Sequence, residues 1–184
     1  MAAGFPGAQP PGWLALVRDV PDFPEPGVIF KDISLLLADH AAFVSVVEAL
    51  AAAGRSADGR VAVDKVAGVE ARGFLFAAPV AMALGVGLVP VRKAGKLPGA
   101  TRSASYALEY GEATLEVHLD AFDAGDRVLV IDDVLATGGT IEATARLVAS
   151  AGATVTAVAV LIELSFLNGR QRLDGLPLTA LTTV

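Results

Sequence analysis

Cysteine is absent from the chain, which excludes disulfides, thiol nucleophiles and cysteine-ligated zinc. Histidine is scarce: His40 and His118 stand far apart and lack ligand spacing. Any metal would therefore be a hard cation held by oxygens. Positive charge is also short, with 14 Lys and Arg against 20 Asp and Glu and a net charge of −6. Nothing resembles the basic face of a nucleic-acid binder. The N-terminus has neither a basic region nor a compact apolar segment, so no signal peptide is expected and the cytoplasm is the default location. One uncharged run, GFLFAAPVAMALGVGLVPV at 73–91, comes close to the about 20 residues that span a bilayer. Pro79, Gly85, Gly87 and Pro90 interrupt it. It reads as a buried helix over 74–84, a glycine turn and a buried strand over 88–91.

What remains is rich in small apolar residues. Hydrophobic residues make up 54 % of 184 positions, much of it Ala and Val, enough for one α/β domain with a real core. Residues 1–12, MAAGFPGAQPPG, read as a disordered tail. From 13 to 184 no linker, repeat or long charge run divides the chain, and a single domain is expected. The proline-rich PDFPEPGVIFKDIS at 21–34 reads as an ordered irregular loop. A helix is expected over 41–53 and a strand over 65–69. RKAGKLPGATRSAS at 92–105 reads as a long mobile basic loop. TLEVHLD at 114–120 alternates apolar and polar residues, as a half-exposed strand does. A buried strand over 128–131, a helix over 139–149 and a buried strand over 155–162 complete the pattern. Strands alternating with helices predict a mostly parallel sheet flanked by helices, with ligands at the carboxyl ends of its strands.

The most informative stretch is VLVIDDVLATGGT at 128–140. An apolar strand ends in two adjacent carboxylates, Asp132 and Asp133. The small residues Ala136, Thr137, Gly138, Gly139 and Thr140 then lead into a helix start. Helix-initial N–H groups attract anions, and small side chains let a ligand approach them. The loop therefore suits a phosphate, and the aspartates suit hydroxyls or magnesium. It is not a P-loop, because no Lys follows Gly139. It is not a dinucleotide fingerprint either: the nearest match, GVGLVP at Gly85, ends in Pro and precedes a strand.

This string resembles the phosphoribosyl-diphosphate (PRPP) motif of the type I phosphoribosyltransferases. PDFPEPGVIFKDIS, EARGFLF, RKAGKLPG and SYALEYG narrow the resemblance to the adenine branch, over about 13–173. The resemblance implies that fold, with an N-terminal hood and a flexible catalytic loop. It also implies a purine-salvage reaction, AMP and diphosphate formed from adenine and PRPP with magnesium, in a cytoplasmic homodimer. On that basis Ala136, Thr137, Gly138, Gly139 and Thr140 would hold the 5′-phosphate, and Asp132 and Asp133 the ribose hydroxyls. Arg72, Gly73, Arg92, Lys93 and Lys96 would serve the diphosphate, with Arg92 reaching the neighbouring subunit's site. Glu70 would orient Arg72 or a metal-bound water. Glu109 would be the general acid/base, and Tyr106 and Tyr110 would close the loop. Ile29, Phe30 and Lys31 would receive adenine, with Leu164 covering it. Magnesium would be held mainly through PRPP, so no protein ligand to it is expected. Two departures stand out: Lys31 replaces a frequent Arg, and the C-terminal LPLTALTTV ends early, which bears on a C-terminal strand. Two other readings compete: another base on the same fold, and a PRPP-sensing regulator. The hood sequence and LEYG favour adenine, and no basic recognition helix favours a regulator.

Overall fold

A computed structural model describes residues 12–107 and 111–184. The chain divides into two compact units, with the boundary between Val46 and Val47.

The first unit holds a two-stranded antiparallel sheet of β1 (Arg18–Pro21) and β2 (Ile29–Asp32). The stretch expected to be wholly irregular thus supplies a strand. Its pairing is cross-strand and not visible in the local prolines. Arg18 pairs with Asp32, and Lys31 Nζ lies 2.7 Å from Asp19 Oδ1. Phe23 and Phe30 meet edge to face at 5.1 Å between ring centres. Asp32 accepts the Ser34 N–H at 2.9 Å, just before α1 (Ser34–Ala38). The helix α2 (His40–Ala52) spans the boundary between the units, within a residue of the helix expected there.

The second unit is built on a seven-stranded sheet. Its strands are β3 (Lys65–Val69), β4 (Gly87–Lys93), β5 (Thr101–Ala107), β6 (Glu112–His118), β7 (Arg127–Leu135), β8 (Thr154–Glu163) and β9 (Leu178–Thr183). Their order is β5-β6-β4-β3-β7-β8-β9. β4, β3, β7, β8 and β9 run parallel, while β6 joins β4, and β5 joins β6, antiparallel. Two helices cover it, α3 (Gly73–Leu84) and α4 (Gly139–Ser150). Side chains alternate across a strand. So Ala67, Val69, Val128, Val130, Val158 and Val160 pack with Ile141 and Leu147 of α4, while Gly68 faces Ala77 of α3. The central strands are apolar on both faces because a helix lies over each. The run at 73–91 is α3 followed by β4, as expected, and no helix among the described residues is long and apolar enough to cross a membrane.

Three boundaries differ from expectation. Residues 92–105 are not one long loop, since Arg92 and Lys93 end β4 and Thr101 begins β5. Polar Thr, Arg and Ser hide an edge strand that is held by its pairing with β6. β7 continues through both aspartates to Leu135, because β8 extends far enough to pair with it. The C-terminal segment forms β9, parallel to β8.

Candidate active site

The chemistry gathers where β3 and β7 end beneath the starts of α3 and α4. Gly73 opens α3 against β7: a Cβ there would stand 2.9 Å from the Ile131 carbonyl oxygen. That close approach sets Arg72, the residue before it, beside the aspartates. Arg72 Nε lies 2.7 Å from Asp133 Oδ2, and Asp133 is only 5 % exposed. Asp132 is half-buried, and its Oδ1 accepts the Asp133 N–H at 2.8 Å. Burial first, then the charge of Asp133, pushes the Asp132 carboxyl well above the usual carboxylate range. Burial also raises Asp133, against the opposing pull of Arg72.

Glu70 turns to the basic segment. Its carboxylate meets Arg92 Nε at 3.2 Å and Lys96 Nζ at 3.3 Å, and accepts the Lys93 N–H at 2.9 Å. Burial works to raise this carboxyl, but the Lys93 N–H, Arg92 and Lys96 outweigh it and hold it down at about 2. Arg72 thus meets Asp133, while Glu70, expected to orient Arg72 or a metal-bound water, meets Arg92, Lys93 and Lys96.

The loop 136–140 bends on Gly138, at φ 82° in the left-handed region, and α4 begins at Gly139. The missing side chains have a packing reason as well as an access reason. A Cβ on Gly138 would come within 2.5 Å of the Gly169 carbonyl oxygen, and one on Gly139 within 2.9 Å of Tyr106 Cδ2. Tyr106, expected at a loop, sits in β5, and its hydroxyl accepts from Thr140 Oγ1 at 3.3 Å. Leu164 follows β8 and donates its N–H to Leu135 O at 2.9 Å.

Two neighbouring cavities result. One of about 60 Å³ is lined by Asp132, residues 134–138, Thr140 and Ile141. The other, about 320 Å³, is lined by Glu70, Arg72, Lys93, Tyr106, Asp132, Asp133 and Thr140 among others. Asp132 and Thr140 belong to both. The structure thus brings together Arg72, Lys93, Asp132, Asp133, Tyr106 and the 136–140 loop. Ile29, Phe30 and Lys31 lie on β2 of the first unit. Glu109 and Tyr110 lie outside the described residues.

One segment near the site went unnoticed in the sequence. The 3-10 turn Gly169–Leu173 packs against the loop through Gly169 and Arg172. Arg170 anchors it by a two-pronged pair with buried Glu163, at 2.9 and 2.5 Å. No periodicity marks it; its faint signal is GRQR, a glycine and two arginines close after β8.

Comparison with known proteins agrees with this geometry. Residues 36–174 match the model of the phosphoribosyl transferase domain. The chain is 65 % identical over 183 residues to the adenine phosphoribosyltransferase of a Nocardioides species, covering 98 % of this chain and 99 % of that one. It is 59 % identical over 175 residues to the Streptomyces coelicolor enzyme of the same name, covering 93 % and 94 %. The crystal structure of adenine phosphoribosyltransferase from Thermoanaerobacter pseudethanolicus superposes with a TM-score of 0.88 at 50 % identity, over 94 % of this chain and 98 % of that one. The Saccharomyces cerevisiae enzyme, complexed with an imino-altritol bisphosphate and adenine, gives 0.87 at 38 % identity, over 92 % and 96 %. A sheet, a loop and an acidic pair arranged in this way, matched along nearly the whole chain, place this protein in the phosphoribosyltransferase family, among the adenine phosphoribosyltransferases.

Proposed function

We propose that this chain joins adenine to ribose C1 of PRPP, releasing diphosphate and forming AMP, through the residues that line the two cavities. The observation that carries the reading is their adjacency. PRPP is a phosphate, a ribose and a diphosphate in that order. A small pocket of loop N–H groups and a larger one bearing Arg72 and Lys93 share Asp132 and Thr140 between them. The 5′-phosphate would fill the first, the diphosphate the second, and the ribose hydroxyls would meet Asp132 and Asp133.

The bond from adenine N9 to C1′ forms as the C1′–oxygen bond breaks, and its electron pair leaves on the diphosphate. Arg72, Arg92, Lys93 and Lys96 neutralise that charge. Glu109, through the family resemblance, takes the proton lost from adenine N7, and Tyr106 and Tyr110 exclude water. By the family resemblance alone, Ile29, Phe30, Lys31 and Leu164 are the residues that would contact the base. Magnesium fits as an ion carried by PRPP, whose oxygens are the hard donors it takes. When bound it would offset phosphate charge. A cytoplasmic homodimer belongs to the same reading. The outer face of α3 supports the dimer: Leu75, Ala78, Pro79 and Met82 fall at one helical stripe, with Leu75 46 % and Met82 83 % exposed.

The test is AMP formation with PRPP and magnesium, offering adenine, hypoxanthine, guanine and orotate in parallel. Turnover confined to adenine is expected. PRPP binding without turnover on any base would sink the catalytic reading in favour of a sensor.

A further inference from the structure

The 5′-phosphate pocket has a charge problem. Its lining, Asp132, 134–138, Thr140 and Ile141, includes one carboxylate and no cation. A phosphate dianion placed there would face Asp132 with only N–H and hydroxyl donors to offset it. The cations of the neighbouring cavity, Arg72 and Lys93, stand on the diphosphate side.

Arg172 stands on the other side. Its Nη1 lies 3.1 Å from where a Cβ would be on Gly139, and its own Cβ lies 3.3 Å from that point on Gly138. Its guanidinium therefore rests over the first residue of α4. A cation at a helix N-terminus opposes the positive end of the helix dipole. Among the described residues Arg172 pairs with no carboxylate that would relieve this. Arg170, two residues earlier, is by contrast fully engaged: it holds Glu163 and donates to Leu178 O at 3.3 Å. One arginine anchors the turn and the other is left exposed at the helix start. Gly139 has no side chain to stand between Arg172 and the phosphate loop.

Resting on the PRPP reading above, we propose that Arg172 is the cation of the 5′-phosphate subsite, reaching the phosphate across Gly139. A phosphate resolves both oddities at once. It gives Arg172 a partner, and it turns an unfavourable cation at a helix start into half of a charge-assisted contact.

The experiment is calorimetric binding of ribose 5-phosphate, PRPP and diphosphate, with magnesium, to wild type, Arg172→Gln and Arg172→Lys. Circular dichroism checks that each variant folds. Arg172→Gln should weaken ribose 5-phosphate and PRPP by roughly 10-fold or more, the loss of one charge-assisted hydrogen bond. Diphosphate affinity should hold, and Arg172→Lys should recover most of the loss. Wild-type affinity for ribose 5-phosphate in Arg172→Gln would remove Arg172 from the subsite while leaving the site itself intact. Equal loss of diphosphate affinity would make Arg172 a structural residue. Failure of wild type itself to bind ribose 5-phosphate would overturn the PRPP reading, and Arg172's role with it.

Discussion

Asp132 and Asp133 are neighbours in sequence but sit in different surroundings, and each implies its own experiment. Asp132 is held above the normal carboxylate range, so the folded chain keeps its proton at pH values where the unfolded chain has lost it. Stability then falls as pH rises above about 4, the unfolded value for Asp. Asp132→Asn removes that ionisation and keeps an acceptor for the Asp133 N–H. It should raise Tm at pH 8, with no gain below about pH 4, while weakening PRPP binding. Thermal melts across pH check this; a Tm difference independent of pH would refute it. Asp133 is buried against Arg72. If holding Arg72 is its main work, Asp133→Asn should behave as a diphosphate-side variant. Diphosphate affinity should fall roughly 10-fold, as when a charge-assisted contact is lost, and ribose 5-phosphate affinity should fall less. The reverse order would make the ribose contact the larger of its two roles.

At the scale of elements, the 136–140 loop is shaped by what packs behind it. Gly138→Ala would force a side chain into the left-handed region and toward the Gly169 carbonyl oxygen, 2.5 Å from the new Cβ. We expect a loss of about 1–3 kcal/mol in urea unfolding, the range for overpacking or a strained backbone, with weaker ribose 5-phosphate binding. Unchanged stability would mean the Gly169–Leu173 turn is free to move away. That turn also marks the limit of what could be read from residues alone. β3, β7 and β8 were legible because a strand covered on both faces must be apolar throughout. The turn from β7 into α4 was legible because its parts are contiguous. β2, β5 and β9 were not, since their polar or proline-bounded sequences become strands only through pairing partners elsewhere. Arg172 was missed for the same reason: it meets Gly139 across the fold, more than thirty positions away in sequence. The role foreseen for Glu70 beside Arg72 placed it on the right element. Its contacts to Arg92, Lys93 and Lys96 were not legible, because those residues return past Glu70 on β4 and the segment after it.

At the scale of the molecule, the proposed dimer raises the question of which subunit each cation serves. α3 carries no charged residue, and its outward stripe includes Met82 at 83 % exposure. An apolar stripe of this kind calls for a partner surface. Met82→Glu should therefore shift the chain from dimer to monomer by light scattering, and a dimer that persists would exclude this face. Within one chain Arg92 pairs with Glu70 at 3.2 Å, so its side chain is held beside its own site. Reaching a neighbour's site would require that pair to open. A mixing experiment separates the two cases. Arg72→Ala and Arg92→Ala are each expected to be nearly inactive alone. After unfolding and refolding together, half of the dimers are mixed. If Arg92 serves the neighbouring subunit, each mixed dimer has one site with both arginines intact and one with neither. By the two-fold symmetry of such a dimer, about a quarter of wild-type activity returns. If Arg92 serves its own subunit, every site lacks one arginine and no activity returns. Recovery would show that the Glu70 pair is a resting arrangement, released when the partner's diphosphate arrives. Failure to recover would make Glu70 and Arg92 a fixed wall of one subunit's site.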